Sequence, residues 1–247
     1  MISICLATYN GEAYIREQLE SIILQVSEGD EIIVSDDGSD DKTLKIIESI
    51  HCPLIRIVKN HGERGYAANF ENSLRQAKGD FIFISDQDDV WMPSKIKKCM
   101  DLLASYDFVV SDAIIVDSDK RVIHPSFYET RGVHRSLAGN IIKFGYLGCC
   151  FAFRRKILQK ALPLPTNRKY CTHDNWLFLV AKTFFLVKVV DEPLILYRRH
   201  SKNTSLGARN AQKSIYFRFF YRLYLAENLV ARIFSFQANQ SKKTSKS

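Results

Sequence analysis

The chain has 247 residues, 46% of them hydrophobic and 25% charged, which is the make-up of a folded domain with a sizeable core. It carries 35 Lys and Arg against 27 Asp and Glu, a formal net charge of +8 with a pI near 9.1. This composition excludes a disordered or fibrous chain, and no apolar run approaches the roughly 18 residues that a bilayer span requires. The longest candidate, 178–190, is broken by Lys182 and Lys188. The basic balance leaves nucleic acid, an anionic membrane surface and an anionic substrate open.

In chain order, Ile2–Ala7 reads as a first strand and Tyr14–Gln25 as a helix, with Ile15, Leu19, Ile22 and Ile23 on one face. Glu31–Ser35 is a second strand, and Asp41–Ile50 a helix with Ser39 or Asp40 available as its N-cap. Ile55–Val58, Gly65–Ala77, Phe81–Ile84 and Pro93–Tyr106 continue the alternation as strand, helix, strand and helix. Such alternation predicts βαβ units on a parallel sheet. Right-handed crossovers then bring the strand C-termini to one edge.

Three polar loops should share that edge: Thr8 to Glu12, Asp36 to Ser39, and Asp86 to Asp89. The pattern then changes. Phe108–Asp112 and Ala113–Val116 read as strands before a hairpin turn at 117–120. Thr172–Lys182 is predicted helical, and Phe184–Val190 and Leu194–Tyr197 are predicted strands. Ser214–Phe236 is predicted helical and Ser241–Ser247 disordered.

The stretch Ser85-Asp86-Gln87-Asp88-Asp89-Val90-Trp91 is the most informative. Three carboxylates follow a buried strand at the sheet end where α/β ligands bind. They repel one another unless a cation or donors compensate. A divalent ion bridging to phosphate does this, because Mg²⁺ and Mn²⁺ prefer oxygen ligands. A solvated acidic turn is the plain alternative, and Asp89 is placed to cap the helix near Pro93. The six cysteines show no metal spacing, and Cys5, Cys149 and Cys150 read as small buried hydrophobes. With no leader visible at the start, a reduced, cytoplasmic setting is expected.

Assembled in order, Ala7-Thr8-Tyr9-Asn10-Gly11, Val34 to Ser39, Gly62 to Asn69, Ser85 to Trp91, His173-Asp174 and Arg199 to Asn203 resemble glycosyltransferase family 2. The likeness covers about Ser3 to Ser205 and is nearest to rhamnosyltransferase-like, capsule or O-antigen members. It implies an α/β GT-A fold, a Rossmann-like, mostly parallel sheet flanked by helices, with a helical C-terminal extension. The implied division is a nucleotide-binding half, 1–112, an acceptor half, 113–207, and a basic aromatic extension, 208–247. It implies an inverting, metal-dependent transfer of sugar from a nucleoside-diphosphate donor of UDP or dTDP type to a glycan or lipid-linked acceptor.

By the same resemblance, Thr8, Tyr9, Asn10, Glu12, Asp37, Arg64, Asp86 and Gln87 bind the nucleotide sugar. Asp88, His200 and Asp86 hold Mn²⁺ or Mg²⁺. Asp174 is the catalytic base, in a pair that is often Glu-Asp in relatives and is His173-Asp174 here. Each residue also has a plainer reading. Asp37 suits a helix N-terminus, Arg64 a solvated loop, His200 a structural contact, and Trp176 either a sugar platform or the core. Leu147 to Cys150 matches a segment bordering the acceptor, where small residues allow close approach.

The tail is aromatic and basic, Ser214 to Leu225 above all. It fits an interfacial helix on anionic lipid at the inner membrane face, or a helix docked on the domain or on a second subunit. A nucleotidyltransferase would want a basic glycine-rich loop after the first strand, and Thr8 to Glu12 has no Lys or Arg. A nucleic-acid partner is not expected, since the loops at the sheet edge are acidic. A non-catalytic sugar-binding relative has no need of both Asp88 and Asp174.

Overall fold

A computed structural model of the chain describes residues 1–200, 203 and 214–244. Its first half alternates as the sequence predicts: β1 (Ile2–Thr8), α1 (Ile15–Ile23), β2 (Glu31–Asp36), α2 (Thr43–Glu48), β3 (Ile55–Lys59), α3 (Tyr66–Gln76) and β4 (Phe81–Ser85). A two-residue strand, β5 (Val90–Trp91), precedes α4 (Lys95–Leu103). Then follow β6 (Phe108–Val116), β7 (Val122–His124), α5 (Phe127–Arg131), α6 (Leu137–Ile142), β8 (Phe151–Arg154) and α7 (Leu158–Ala161). The chain continues through α8 (His173–Phe184), β9 (Val187–Arg198) and α9 (Ile215–Thr244).

Among the described residues one sheet runs in the order β3-β2-β1-β4-β8-β6-β9-β5, with β7 on the side of β6. β1 pairs in parallel with both β2 and β4, which explains its nearly uninterrupted apolar sequence. Burial of Ile15, Leu19 and Ile22 on α1, and of Phe70 and Leu74 on α3, closes the core over it. β8 is antiparallel to both β4 and β6, so those two run alike. β9 is parallel to β6. The end of β9, at Arg198, therefore reaches the same edge as the loops after β1, β2 and β4.

Several expectations needed correction. Phe108–Asp112 and Ala113–Val116 form one strand, β6, which runs through the expected division at 112. The two strands expected within 184–197 are likewise one, with Phe184 ending α8. Pro193, which has no N–H, sits opposite Asp112 where the β6–β9 register shifts, so the strand continues past it. The N-cap of α2 is Lys42, not Ser39 or Asp40. Ser39 instead donates to Asp36 Oδ1 and accepts from Asn10 N at 3.0 Å. α9 runs to Thr244, so 241–244 are helical where disorder was expected. Ser201 and Lys202, the boundary at 207 and residues 245–247 lie outside the described residues.

All six cysteines are free, and Cys5, Cys149 and Cys150 are buried. Among the described residues no helix is long and apolar enough to cross a membrane.

Candidate active site

The first and third loops are joined through one amide. Gln87 Oε1 accepts from Thr8 Oγ1 at 2.6 Å and from Tyr9 N at 2.9 Å, and Gln87 Nε2 donates to Tyr9 O at 3.1 Å. Thr8 is buried, whereas the ring of Tyr9 is exposed beside the loop. Asn69 ties the strands beneath, donating from Nδ2 to Thr8 O at 3.0 Å and Ser35 O at 2.9 Å. Asn10 and Glu12 sit one step outward. Asn10 Oδ1 accepts from Asp40 N, and Glu12 Oε2 from Lys42 N, each at 3.0 Å. Their side chains therefore brace the start of α2.

Asp37 is buried and accepts from Asn60 Nδ2 and Gly65 N, both at 2.7 Å. This anchors the loop that carries Arg64. Gly38, at φ +87°, leaves room for that arginine, since a Cβ there would lie 3.1 Å from Arg64 Nη2.

The acidic loop is the electrostatic centre. Asp86 is half-buried, and enclosure together with the charges of Asp88 and Asp174 pushes its carboxyl up to about 7. Asp89 is fully buried, and burial with the charges of Asp88 and Asp86 raises it well above the usual carboxylate range. Its Oδ1 accepts from Arg198 N at 3.0 Å, and its Oδ2 has no partner. Asp89 is thus a buried acid held by β9, not the expected helix cap. α4 begins after Ser94 with no side-chain cap at all.

Asp88 is clamped from the same side. Its Oδ2 lies 2.8 Å from His200 Nε2 and accepts from Asn203 Nδ2 at 3.1 Å. Its main-chain oxygen accepts from Arg198 Nε at 2.8 Å. Arg198 is itself buried, with Nη1 on Ser118 O at 2.6 Å, Nη2 on the Glu17 carboxylate, and its guanidinium over the Tyr14 ring. The His200 ring packs against the other end of this group, 4.7 Å from Tyr14.

One ligand atom from each of Asp86, Asp89 and Cys149 falls within 4.8 Å of the other two. Two raised carboxyls and an unpartnered carboxylate oxygen are what a site looks like when its charge lacks a counter-ion. The donor set fits a divalent cation that prefers oxygen. Cys149 does not add a thiolate, because its contact with Cys150 and its burial hold the thiol protonated. Asp88 and His200, the other expected ligands, are joined directly by the 2.8 Å contact between Oδ2 and Nε2.

Asp174 faces this cluster from the first turn of α8. Its Oδ1 accepts from Thr172 Oγ1 and from Asn175 N at 2.8 Å, and its charge acts on Asp86. His173 precedes it in the same turn. It is buried, stacked on Phe70 at 4.0 Å, and neither ring nitrogen has a partner. Burial lowers its pKa to about 4. Gly148 packs onto this turn, where a Cβ would lie 2.6 Å from His173 Nε2 and 3.3 Å from Asp174 Cβ. Trp176 is core, fully buried with Nε1 donating to Ala161 O at 2.8 Å, so it is no sugar platform.

The structure therefore gathers Thr8, Tyr9, Asp86, Gln87, Asp88, His200 and Asp174 around one edge, with Asp37 and Arg64 on the adjoining loop. Asn10 and Glu12 lie at its margin. Sequence reasoning missed Glu17, placed Cys149 only as a buried residue of the segment bordering the acceptor, and gave Arg198 no role. The one available signal was an arginine ending an apolar strand.

This sheet, with its acidic loop at the strand ends, is the fold of the GT-A glycosyltransferases. Staphylococcus aureus TarS 1–349 in complex with UDP-GlcNAc superposes with a TM-score of 0.67 at 20% identity, covering 95% of this chain and 73% of that one. A Pyrobaculum calidifontis mannosyltransferase in complex with GDP-Man and Mn²⁺ gives 0.62 at 20% identity, covering 82% of this chain and 58% of that one. Against another structure of TarS 1–349 the chain spans 60% of that structure's length.

Residues 3–162 match the model of glycosyl transferase family 2, and the chain belongs to that family. A dTDP-rhamnosyl transferase of Shigella flexneri, RfbG, is 32% identical over 85% of this chain and 76% of its own. An Escherichia coli UDP-Glc:alpha-D-GlcNAc-diphosphoundecaprenol beta-1,3-glucosyltransferase, WfaP, is 26% identical over 96% of this chain and 97% of its own.

Proposed function

We propose that this chain is an inverting, divalent-metal-dependent glycosyltransferase. It moves a sugar from a nucleoside-diphosphate donor to a glycan or lipid-linked acceptor in bacterial surface polysaccharide assembly, of capsule or O-antigen type. The observation that supports this reading is the nearness of Asp174, in the first turn of α8, to the loop after β4: its charge helps to raise Asp86, and a Cβ on Gly148, the neighbour of Cys149, would lie 3.3 Å from Asp174 Cβ. Asp174 would serve as the base and the acidic loop would lie on the phosphate side.

Thr8, Tyr9, Asp37, Arg64 and Gln87 would hold the nucleotide, and the half beyond residue 112 the acceptor. Relatives named for dTDP and UDP donors support a donor of that type. Asp86, Asp88 and His200 would hold Mn²⁺ or Mg²⁺, which when bound supplies positive charge to the departing diphosphate. Asp89, fully buried beside them, adds a carboxylate.

Asp174 takes the proton of the acceptor hydroxyl as its oxygen bonds to the anomeric carbon. The bond from that carbon to the phosphate oxygen breaks on the opposite face, so the configuration inverts. The two bonds that hold Oδ1 of Asp174 fix the direction of its carboxylate. A diphosphoundecaprenol-linked acceptor, as in the name of WfaP, would place the reaction at the cytoplasmic face of the cell membrane.

The test is a panel of nucleotide sugars with Mn²⁺ or with chelator, scored for nucleoside diphosphate release by wild type, Asp88→Ala and Asp174→Asn. Turnover of one donor that needs metal and is lost in both variants is the expected result. Turnover that survives chelator and both substitutions overturns the reading.

A further inference from the structure

α9 has two apolar faces, and the domain uses only one. The inner face buries Leu225 and Leu229, and Tyr224 OH accepts from Asn167 N at 3.0 Å. Arg232 reaches Leu162 O at 3.1 Å and Pro163 O at 2.8 Å, and Arg222 Nη2 reaches Ile142 O at 3.1 Å. These contacts hold the helix without help from its outer side.

On that outer side Ile215, Tyr216, Phe219, Phe220 and Leu223 are 75%, 78%, 61%, 49% and 42% exposed. Ile142, at the Arg222 contact, adds an exposed side chain from α6. Contiguous exposed apolar surface of this kind marks an interaction site. Arg218 is exposed on the same turns, and residues 208–247 carry eight Lys or Arg, of which Arg222 and Arg232 are turned to the domain, against one acid, Glu227.

We propose that this outer face of 215–223 seats on an anionic phospholipid surface. The aromatic rings would lie at headgroup depth, with Arg218 toward phosphate. Charge selects lipid over a second copy of the chain, because a symmetric contact would bring two basic extensions together. Since no described helix is long and apolar enough to cross, α9 lies on the surface.

The placement also gives the surface a purpose. Tyr221, on the same helix, lies 3.5 Å through its OH from Asn175 Nδ2, and Asn175 follows the proposed base, Asp174. A lipid-anchored acceptor would thus meet Asp174 close to the bilayer. That purpose rests on the proposed transfer reaction; the binding to lipid does not.

The test is co-sedimentation of the purified full chain with vesicles of phosphatidylcholine alone and of an equal mixture with phosphatidylglycerol. Wild type is expected to partition onto the mixed vesicles and to leave them at high salt. Phe219→Ser with Phe220→Ser should lower that partition at least about tenfold, and Arg218→Glu about fivefold or more. Donor hydrolysis in solution should be unchanged in both, which separates this surface from the chemistry.

Wild type that stays in the supernatant overturns the proposal, as does equal binding to neutral vesicles. A dimer in sedimentation equilibrium that Phe219→Ser with Phe220→Ser dissolves overturns it in favour of a second copy.

Discussion

Arg198 Nε donates to the main-chain oxygen of Asp88 at 2.8 Å, joining the end of β9 to the loop after β4. The same guanidinium is paired with Glu17 on α1, and the Arg198 amide holds Asp89. Arg198 thus holds the acidic loop at two points, by its guanidinium at Asp88 and by its amide at Asp89. Removing the guanidinium takes the donor from the main-chain oxygens of Asp88 and Ser118, while Glu17, 38% exposed, keeps Lys120. Arg198→Met should cost about 1–3 kcal/mol of stability and weaken Mn²⁺-dependent nucleotide binding about tenfold. Thermal melting and a metal titration check this, and an unchanged metal affinity would remove Arg198 from any role in holding the loop.

Asp174→Asn keeps the shape of the side chain and removes its capacity to take a proton. Turnover should fall by about 10²–10⁴, the range for general-base catalysis, while donor affinity stays within about threefold. Steady-state kinetics with a parallel nucleotide titration separates the two. Loss of donor binding equal to the loss of turnover would show that Asp174 serves the donor instead.

His173 makes stability depend on pH. Its pKa is lowered by burial from 6.5 to about 4, so below pH 6.5 the unfolded chain binds a proton that the folded chain does not. The stability it confers is full above pH 6.5 and falls as the pH drops toward 4, by at most about 3 kcal/mol. His173→Leu cannot charge, so wild type should lose melting temperature relative to this variant as the pH falls across that window. Melting temperatures of wild type and His173→Leu that run parallel between pH 6.5 and 4 would contradict this, since Asp86, raised to about 7, adds the same opposite slope to both.

Gly148→Ala would put a methyl group 2.6 Å from His173 Nε2. The buried ring is backed by Phe70 and has little room to yield. A cost of about 1–3 kcal/mol is expected, with the first turn of α8, and Asp174 with it, displaced. Turnover should therefore fall more than donor affinity. The pairing of Gly148→Ala with His173→Ala, which opens the space, should recover part of the loss.

Much of the fold is legible in the chain because apolar period and turn chemistry are local. Ile4, Cys5 and Leu6 are fully buried where an uninterrupted apolar run promised a central strand. The loops at Thr8, Asp37 and Asp86 meet because three strands are parallel, which alternation with helices implies. The second half is less legible. β8 turns antiparallel, β9 runs through a proline, and Val90–Trp91 is too short to leave a periodic signal. Asp89 shows the same limit within the site. Its position suited a helix cap, but its partner, Arg198, is 109 residues away.

By itself the sequence determined the α/β class, the edge that the polar loops share and the acidic loop, which depend on spacing within one strand, turn or helix; the candidate base, Asp174, came from the family resemblance. Only the tertiary structure decided that Asn10 and Glu12 brace α2, that Trp176 is core, that Asp89 is buried beside a neutral Cys149, and that Arg198 binds the loop to Glu17. It also decided which face of α9 docks and which stays exposed. Such outcomes follow from long-range pairing and from the desolvation it imposes. A carboxylate or imidazole reads the same in the sequence whether it ends in water or in the core, and burial then sets its charge.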